Sequence, residues 1–525
     1  MTVSRRDALT LTVGAGVASL LPGKASAASR VEQWGVYEIV LEGPATGNPF
    51  TEVRVSALFV SGLTLIRVPG FYDGDGIYRI RFSPPSSGVW SWSTQSFYKA
   101  LNEKTGKVEV TAPSKGNHGP VQVAGGYHFA YADGTPFRQI GTTCYAWAQQ
   151  SDERCAQTIE TLKGSPYNKL RMCVFPNVAA EPIHPFVTTG SGDREWDGTR
   201  FNLTYFRRFE DRVRRLMEIG VEADIILFHP YDEKRGFSDQ SRAHDEHYLR
   251  YLIARLSAYR NVWWSAANEY DLIKTKTIAD WDHLLKFIRS EDAHDRLTSI
   301  HNIKVLYDNN KPWVTHASVQ NGSAVLDDRT AETYRSVWQK PVVFDEVCYE
   351  GTIDQRWGNL SGEEMVMRFW YGHLAGTYVG HSETLTTDGS GADNSWLGKG
   401  GRLLGTSTPR LAFLKKVMED GPSPGIDPID KWWERHMAGR EGVYYLRYFG
   451  KDAPTQWTVD LPKNGLKGGE RFRIELLDTW NMTVTPVEGH FTMAKKDAYN
   501  FHDPTRPVVA LPGKPWMAVR LIREA

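Results

Sequence analysis

The chain of 525 residues is 41% hydrophobic and 24% charged, with 47 Gly and 27 Pro, the balance of an ordinary folded protein long enough for a large core. Its 62 basic and 62 acidic side chains cancel, which argues against a dedicated nucleic-acid binder and a polybasic membrane-surface protein. The 18 Trp, 23 Tyr and 22 Phe offer flat apolar faces that suit sugar rings, although packed β-domains use such residues as well.

Residues 1–27 read as an export signal rather than as fold. Arg5 and Arg6 precede an apolar run over 9–21 and the small-residue site Ala25-Ser26-Ala27, and the paired arginines resemble a twin-arginine signal. The run is too short to cross hydrocarbon, and no later segment reaches the length of a span. The expectation is an exported protein, periplasmic or extracellular, free of the membrane after cleavage. Four cysteines are too few for a disulfide scaffold, and both a bridge and buried free thiols stay open.

From 30 to 115, short alternating runs at 36–41, 52–60, 76–84, 88–94 and 106–112 predict an N-terminal antiparallel β-sandwich. A turn-rich stretch over 113–126 marks its end. Between 118 and 428 short apolar runs alternate with amphipathic helices. Eight strands are expected at 137–143, 169–175, 222–228, 261–266, 296–302, 313–318, 341–347 and 376–382. Eight strand–helix units over this length predict a (β/α)8 TIM barrel. A doubly wound sheet is the alternative, but no Gly-rich phosphate loop follows the first strand. Residues 429–525 return to strands and predict a C-terminal antiparallel β-domain of sandwich type. The small domains could bind sugar through Trp90, Trp457 or Trp480; bracing the barrel is the favoured role, since no aromatic cluster stands out.

In a TIM barrel the reacting groups stand at the C-terminal ends of the strands. Asn268 and Glu269 end the fourth predicted strand, and Glu346 ends the seventh. Each glutamate follows an apolar run, so it must reach a polar cavity or bear a burial cost. Two carboxyls on opposite strands are what glycosidic cleavage requires: one protonates the leaving oxygen while the other attacks the anomeric carbon or activates water. Arg171, inside the second strand, is placed to keep Glu346 ionised. His316 at the sixth strand end, His229 after the third, and His301 and Asn302 at the fifth are further polar candidates. Trp147, Tyr270, Tyr349, Trp357 and Trp396 near strand ends, with Trp196 in the insertion over 187–202, are candidates for stacking on sugar rings; so is Trp264, although of Trp263 and Trp264 one must face the helix layer. Asp73-Gly74-Asp75-Gly76 lacks the further ligands of a calcium loop and reads as a tight turn. No metal and no cofactor are expected.

Asn268-Glu269 and Glu346, with His316, resemble the retaining TIM-barrel glycoside hydrolases that include cellulases and β-galactosidases. Residues 128–147 resemble the opening of the apiosidase-like barrels; 71–92 resemble a domain of unknown function fused before them, and 476–484 with 511–521 the small β-domain that follows. The resemblance implies Glu269 as acid/base, Glu346 as nucleophile and Asn268 on the sugar's 2-hydroxyl. It implies an oligo- or polysaccharide partner, a β-linked glycan that includes furanosidic or pentose-containing ones. Cys144 and Cys348 beside the expected pocket make transfer of a relative's substrate unsafe. Insertions over 187–202 and 384–401 favour exo action by walling off one end of the cleft. A carbohydrate- or matrix-binding protein on an inactive barrel and a transglycosidase are the alternatives; retention of both glutamates favours catalysis.

Overall fold

The computed structural model describes residues 29–524 except 178, 181–182 and 430–433. The predicted export signal lies outside the described residues. Among them, no helix is long and apolar enough to cross a membrane.

The centre is a parallel eight-stranded barrel. Its strands are β1 (Gly141–Thr143), β2 (Lys169–Cys173), β3 (Glu222–Phe228), β4 (Val262–Ala267), β5 (Thr298–Ser299), β6 (Ala317–Gln320), β7 (Val342–Glu346) and β8 (Tyr378–His381). The hydrogen-bonded order is β5-β4-β3-β2-β1-β8-β7-β6. A parallel bridge between His301 and Ser318 joins the two ends and closes the ring. β3 is buried along its whole length, as a parallel strand between a filled interior and a helix layer must be.

The surrounding helices form for local reasons. Leu203–Glu218 starts at Asn202, whose side chain accepts the Tyr205 N–H, and it buries Tyr205, Phe206, Phe209, Val213 and Leu216 at helical spacing. Arg242–Leu256 is capped by Ser241, and Ile278–Glu291 by a reciprocal Thr277–Asp280 box. Trp264 of β4 turns to this layer and donates to Asp292 (2.8 Å). Its neighbour Trp263 faces the barrel floor, donates to Glu222 (2.9 Å), and packs with Phe129, Phe137, Val343 and Tyr378.

The N-terminal β-domain is a single seven-stranded sheet curled into a nearly closed barrel around Phe59, Tyr78, Ile80, Phe82 and Trp90, so both walls of its core belong to one sheet. The first strand, Ser29–Glu32, pairs in parallel with Thr105–Thr111. The Asp73-Gly74-Asp75-Gly76 segment is a turn with positive φ at 74, 75 and 76. Its buried Asp73 carboxylate takes Arg79 (2.7 Å), Arg255 (2.9 Å) and Arg207 (3.2 Å). Two of those arginines come from barrel helices, so the turn joins the domains. Phe50 adds edge contacts to Phe201 and Tyr251. The C-terminal domain carries a six-stranded sheet; Tyr448 stacks on Trp370 of the barrel at 5.1 Å, and Trp480 lies under the Arg410 guanidinium at 4.3 Å. Trp90 and Trp457 are core residues of their own domains. All four cysteines are free thiols, Cys144, Cys155 and Cys173 buried and Cys348 half-buried.

One strand differs from its expected register. Residues 313–316 form a turn, and β6 begins at Ala317. The Thr315 N–H donates to Thr298 O (2.8 Å), and the Thr298 N–H to the Thr315 hydroxyl (2.8 Å), which ends the turn before the ladder starts. An apolar run such as 313–319 offers more than one frame, and periodicity alone does not choose between them.

Candidate active site

β7 ends at Glu346, whose Oε1 faces Tyr145, Arg171 and His301. Tyr145, just after β1, donates its hydroxyl to it. Arg171 of β2 stands 3.5 Å away and His301 Nε2 3.4 Å away. Burial alone would lift this acid, but the His301 hydrogen bond and charge, then Arg171 and Tyr145, hold it well below the usual carboxylate range.

His301 is itself held from behind. Its Nδ1 meets the Ser318 hydroxyl (2.9 Å), which donates to Asp345 Oδ2 (2.6 Å). Asp345 is bound in turn by Lys169 (2.7 Å), which also donates to Asp224 (2.8 Å), and Arg171 Nε lies 3.8 Å from both aspartates. Charge thus fills the barrel interior beneath Glu346, and the low-lying Asp345 carboxyl, kept ionised by Lys169 and Arg171 against its burial, is committed to structure.

Glu269 occupies the other side. It follows β4 with φ of 45°, in the left-handed region, at the start of the short turn Tyr270–Leu272. A non-glycine residue held there stores about 1–3 kcal/mol, which the surroundings must enforce. They do: Asp271 accepts the N–H groups of Ile303, Lys304 and Val305 at 2.8 Å, and the Tyr270 N–H donates to His301 O (2.9 Å). Tyr231 hydrogen-bonds the Glu269 carboxyl. The Gln320 amide, oriented with its nitrogen toward the acid, donates to Glu269 Oε1 (3.0 Å) and the Asn302 carbonyl (3.2 Å); the reverse orientation would set its oxygen against acceptors. Burial, then the negative charge of Glu346, pushes Glu269 up to about 7.

Asn268 links the two acids' surroundings. Its Oδ1 accepts from Arg171 (2.8 Å), and its Nδ2 donates to the Tyr231 hydroxyl (2.8 Å) and faces that of Tyr145 at 3.4 Å. His229 orients Tyr231: its Nδ1 accepts the Tyr231 N–H (3.1 Å), its Nε2 lies 2.8 Å from Phe175 O, and the two rings stack at 5.4 Å. Burial lowers the His229 pKa and so favours the neutral ring.

This architecture is shared with known protein families. The apiosidase-like catalytic domain family matches residues 124–382, flanked by two domains of unknown function, DUF5060 over 30–97 and DUF5605 over 433–522. A crystal structure of a candidate glycoside hydrolase from Bacteroides vulgatus is 36% identical, covers 94% of this chain and 100% of its own, and superposes with a TM-score of 0.90. The chain belongs to the apiosidase-like glycoside hydrolases. A family 5 glycoside hydrolase from the same organism, 16% identical over 77% of this chain and 94% of its own, shares the fold at a TM-score of 0.57. A further glycoside hydrolase does so at 14% identity and 0.59, over 78% and 98% of the two chains. No curated protein matches significantly.

Several expected site residues of this apiosidase-like enzyme stand elsewhere. His316 precedes β6 and packs edge-on against Phe129 and Trp263 at the barrel floor, the end opposite the acid pair. Burial and the nearby Lys169 charge lower it to about 3, so it is a neutral core residue. Trp147 is buried in the main core. Tyr270 is buried too, its hydroxyl donating to Val305 O (2.8 Å). Trp196 starts a strand, Trp196–Phe201, that pairs with Phe186–Thr188; its indole stacks on Phe186 at 5.0 Å and donates to Arg235 O (3.0 Å). Trp396 is 1% exposed and donates to the Thr142 hydroxyl (2.8 Å). An indole whose N–H and faces are already occupied by protein offers no platform for sugar. Trp396→Ala should therefore cost about 3–5 kcal/mol of stability by leaving a cavity. Denaturant unfolding checks this; unchanged stability with raised KM would restore the stacking role. Tyr349 is buried against Tyr145 and Glu346, and Trp357, 42% exposed, meets the Tyr349 ring edge-on at 6.4 Å. Tyr145, Tyr231, Gln320 and Ser318 also belong to this site, and sequence reasoning misses them. Position after a strand end was the available signal for the two tyrosines.

Proposed function

We propose that this enzyme cleaves a β-linked glycan with retention of configuration, Glu346 serving as nucleophile and Glu269 as acid/base. The observation that carries the reading is the opposite tuning of two neighbouring carboxyls. Glu346 is held ionised by His301, Arg171 and Tyr145, while Glu269 is kept protonated near neutrality by burial and the Glu346 charge. Acid and base assignments follow from environments that separate two pKa values in this way.

In the first step Glu346 attacks the anomeric carbon. Its Oε1 is engaged by Tyr145, His301 and Arg171, so the proposed attacking atom is Oε2. The Glu269 proton passes to the glycosidic oxygen as the carbon–oxygen bond breaks and the aglycone leaves. In the second step Glu269, now a carboxylate, takes a proton from water; the water oxygen bonds to the anomeric carbon, the ester to Glu346 breaks, and both groups regain their starting states.

Activity on this account needs Glu346 ionised and Glu269 protonated. kcat/KM should fall as pH rises through about 7, where Glu269 loses its proton, and the acidic limb should lie below the usual carboxylate range because Glu346 resists protonation. A pH profile on a natural glycan tests this directly. Constant activity from pH 6 to 9 would contradict it.

Release of terminal sugars is part of the proposal. The hairpin over 186–201 after β2 and the segment 384–401 after β8 both leave the catalytic end of the barrel and support a walled pocket. Products from a panel of plant and bacterial polysaccharides should be single sugars from the outset; an early ladder of oligomers would show endo action. Export by the twin-arginine route is proposed from Arg5, Arg6 and the 25–27 cleavage pattern, and Arg5→Lys with Arg6→Lys should block it in a secretion assay.

A further inference from the structure

Beyond the ends of β7 and β8, on the outer side of the barrel wall, a second group of buried side chains converges. Lys169 and Arg171 point inward on β2, so Leu170 between them points outward, as do its ladder neighbour Thr142 and, next in line, His381. Past the strand ends Glu350 and Glu383 pair in a parallel bridge. One carboxylate oxygen from each glutamate and one ring nitrogen of His381 lie within 4.8 Å of one another. All three residues are buried, His381 and Glu383 completely.

The carboxylates grip the turn that leads into the helix Ser407–Glu419. Glu383 accepts the N–H groups of Leu404 (2.5 Å) and Gly405 (2.8 Å). Glu350 accepts those of Thr406 (2.6 Å) and Ser407 (3.0 Å) and the Thr406 hydroxyl (3.0 Å). A Cβ on Gly405 would meet Glu350 Oε2 at 2.4 Å and Glu383 Oε2 at 2.5 Å, so only glycine lets the turn close over both oxygens. These donors are all neutral, and among the described residues no lysine or arginine pairs with either carboxylate. Burial, then the Glu350 charge, pushes Glu383 up to about 7.

His381 supplies an independent sign of a missing partner. Its Nδ1 lies 3.2 Å from the Thr142 hydroxyl and its ring stacks on Tyr167 at 4.7 Å, which fixes its plane. Its Nε2 is buried with no hydrogen-bond partner among the described residues. A buried ring nitrogen without a partner requires an explanation. One oriented imidazole and two carboxylates with no counter-cation form a donor set suited to a divalent transition metal.

We propose that Glu350, His381 and Glu383 bind one zinc-class divalent ion that pins the 403–407 turn to the ends of β7 and β8. The ion supplies the counter-charge that the two buried carboxylates lack. Its role is structural, since the acid pair lies on the inner side of the wall. The ligands come from two strand extensions with no repeated spacing, so the sequence carries no metal motif.

The test uses the full chain, stripped with chelator, dialysed and titrated calorimetrically with Zn2+, with Ca2+ in parallel. One equivalent of Zn2+ should bind, at least tenfold more tightly than Ca2+, and the loaded protein should melt several degrees above the stripped one. His381→Gln and Glu383→Gln should each weaken Zn2+ binding at least tenfold. Should a variant fail to fold, X-ray absorption at the zinc edge of the unaltered protein decides: one imidazole with oxygen ligands and no sulfur supports the site. Absence of saturable binding, binding unchanged in folded variants, or a sulfur-containing shell would overturn the proposal.

Discussion

Replacing Glu346 with alanine is expected to lower kcat/KM by about ten-thousand-fold or more, equivalent to about 5 kcal/mol of transition-state stabilisation. No neighbour can take over. Asp345 is adjacent in sequence but is fully buried and bound by Lys169 at 2.7 Å and Ser318 at 2.6 Å. The substitution also leaves Arg171 with Asn268 and the two aspartates, so the cation stays paired and the protein should remain folded. Azide should partly restore turnover by filling the space of the lost carboxylate, and the glycosyl azide formed should have inverted configuration. Proton NMR of that product checks the outcome. Activity within tenfold of the unaltered enzyme would remove Glu346 from the nucleophile role.

Replacing Glu269 with alanine should act selectively. On a glycan with a poor leaving group, loss of proton donation should lower the rate about a hundred- to ten-thousand-fold. On an activated aryl glycoside, whose leaving group needs no proton, formation of the glycosyl-enzyme should be largely spared, while its hydrolysis lacks the base. A pre-steady-state burst, a lowered KM and loss of the alkaline limb near 7 should follow together. Stopped-flow release of the aryl alcohol separates the two steps. Equal losses on both substrates would contradict an acid/base role. Tyr231 and Gln320 should be spared as donors in the variant, so a collapse of the whole site is not expected from geometry.

The barrel was legible because its strands and helices differ in period, and parallel strands such as β3 are apolar on both faces. The rule that places chemistry at strand ends led to Glu269, Asn268 and Glu346, with Arg171 and His301 beside them, and in the structure these side chains interact with one another. His316 failed for a reason of register. With β6 starting at Ala317, its C-terminal residue is Gln320, which touches Glu269, and His316 falls to the floor. A shift of a few residues along a strand exchanges the two ends of the barrel. For Trp147, Trp196 and Trp396 the reason is different. An aromatic residue near a strand end reads the same in sequence whether its indole N–H meets solvent or, as in Trp396, a buried hydroxyl. The Tyr145 backbone is fixed by Leu397 and Cys173, and Tyr231 by a His229 ring that reaches back to Phe175 O; no spacing encodes these long-range bonds.

The covalent step is the centre of the account, and trapping it tests the account most directly. The sugar released from the polysaccharide panel identifies which activated 2-deoxy-2-fluoro glycoside to use. Incubation with that reagent, followed by peptide mapping by mass spectrometry, should show a single glycosyl ester on Glu346, formed at a rate that falls when Tyr145 is changed to phenylalanine. A label on Asp345 or Glu269, or time-dependent inactivation with no ester at all, would contradict double displacement through Glu346.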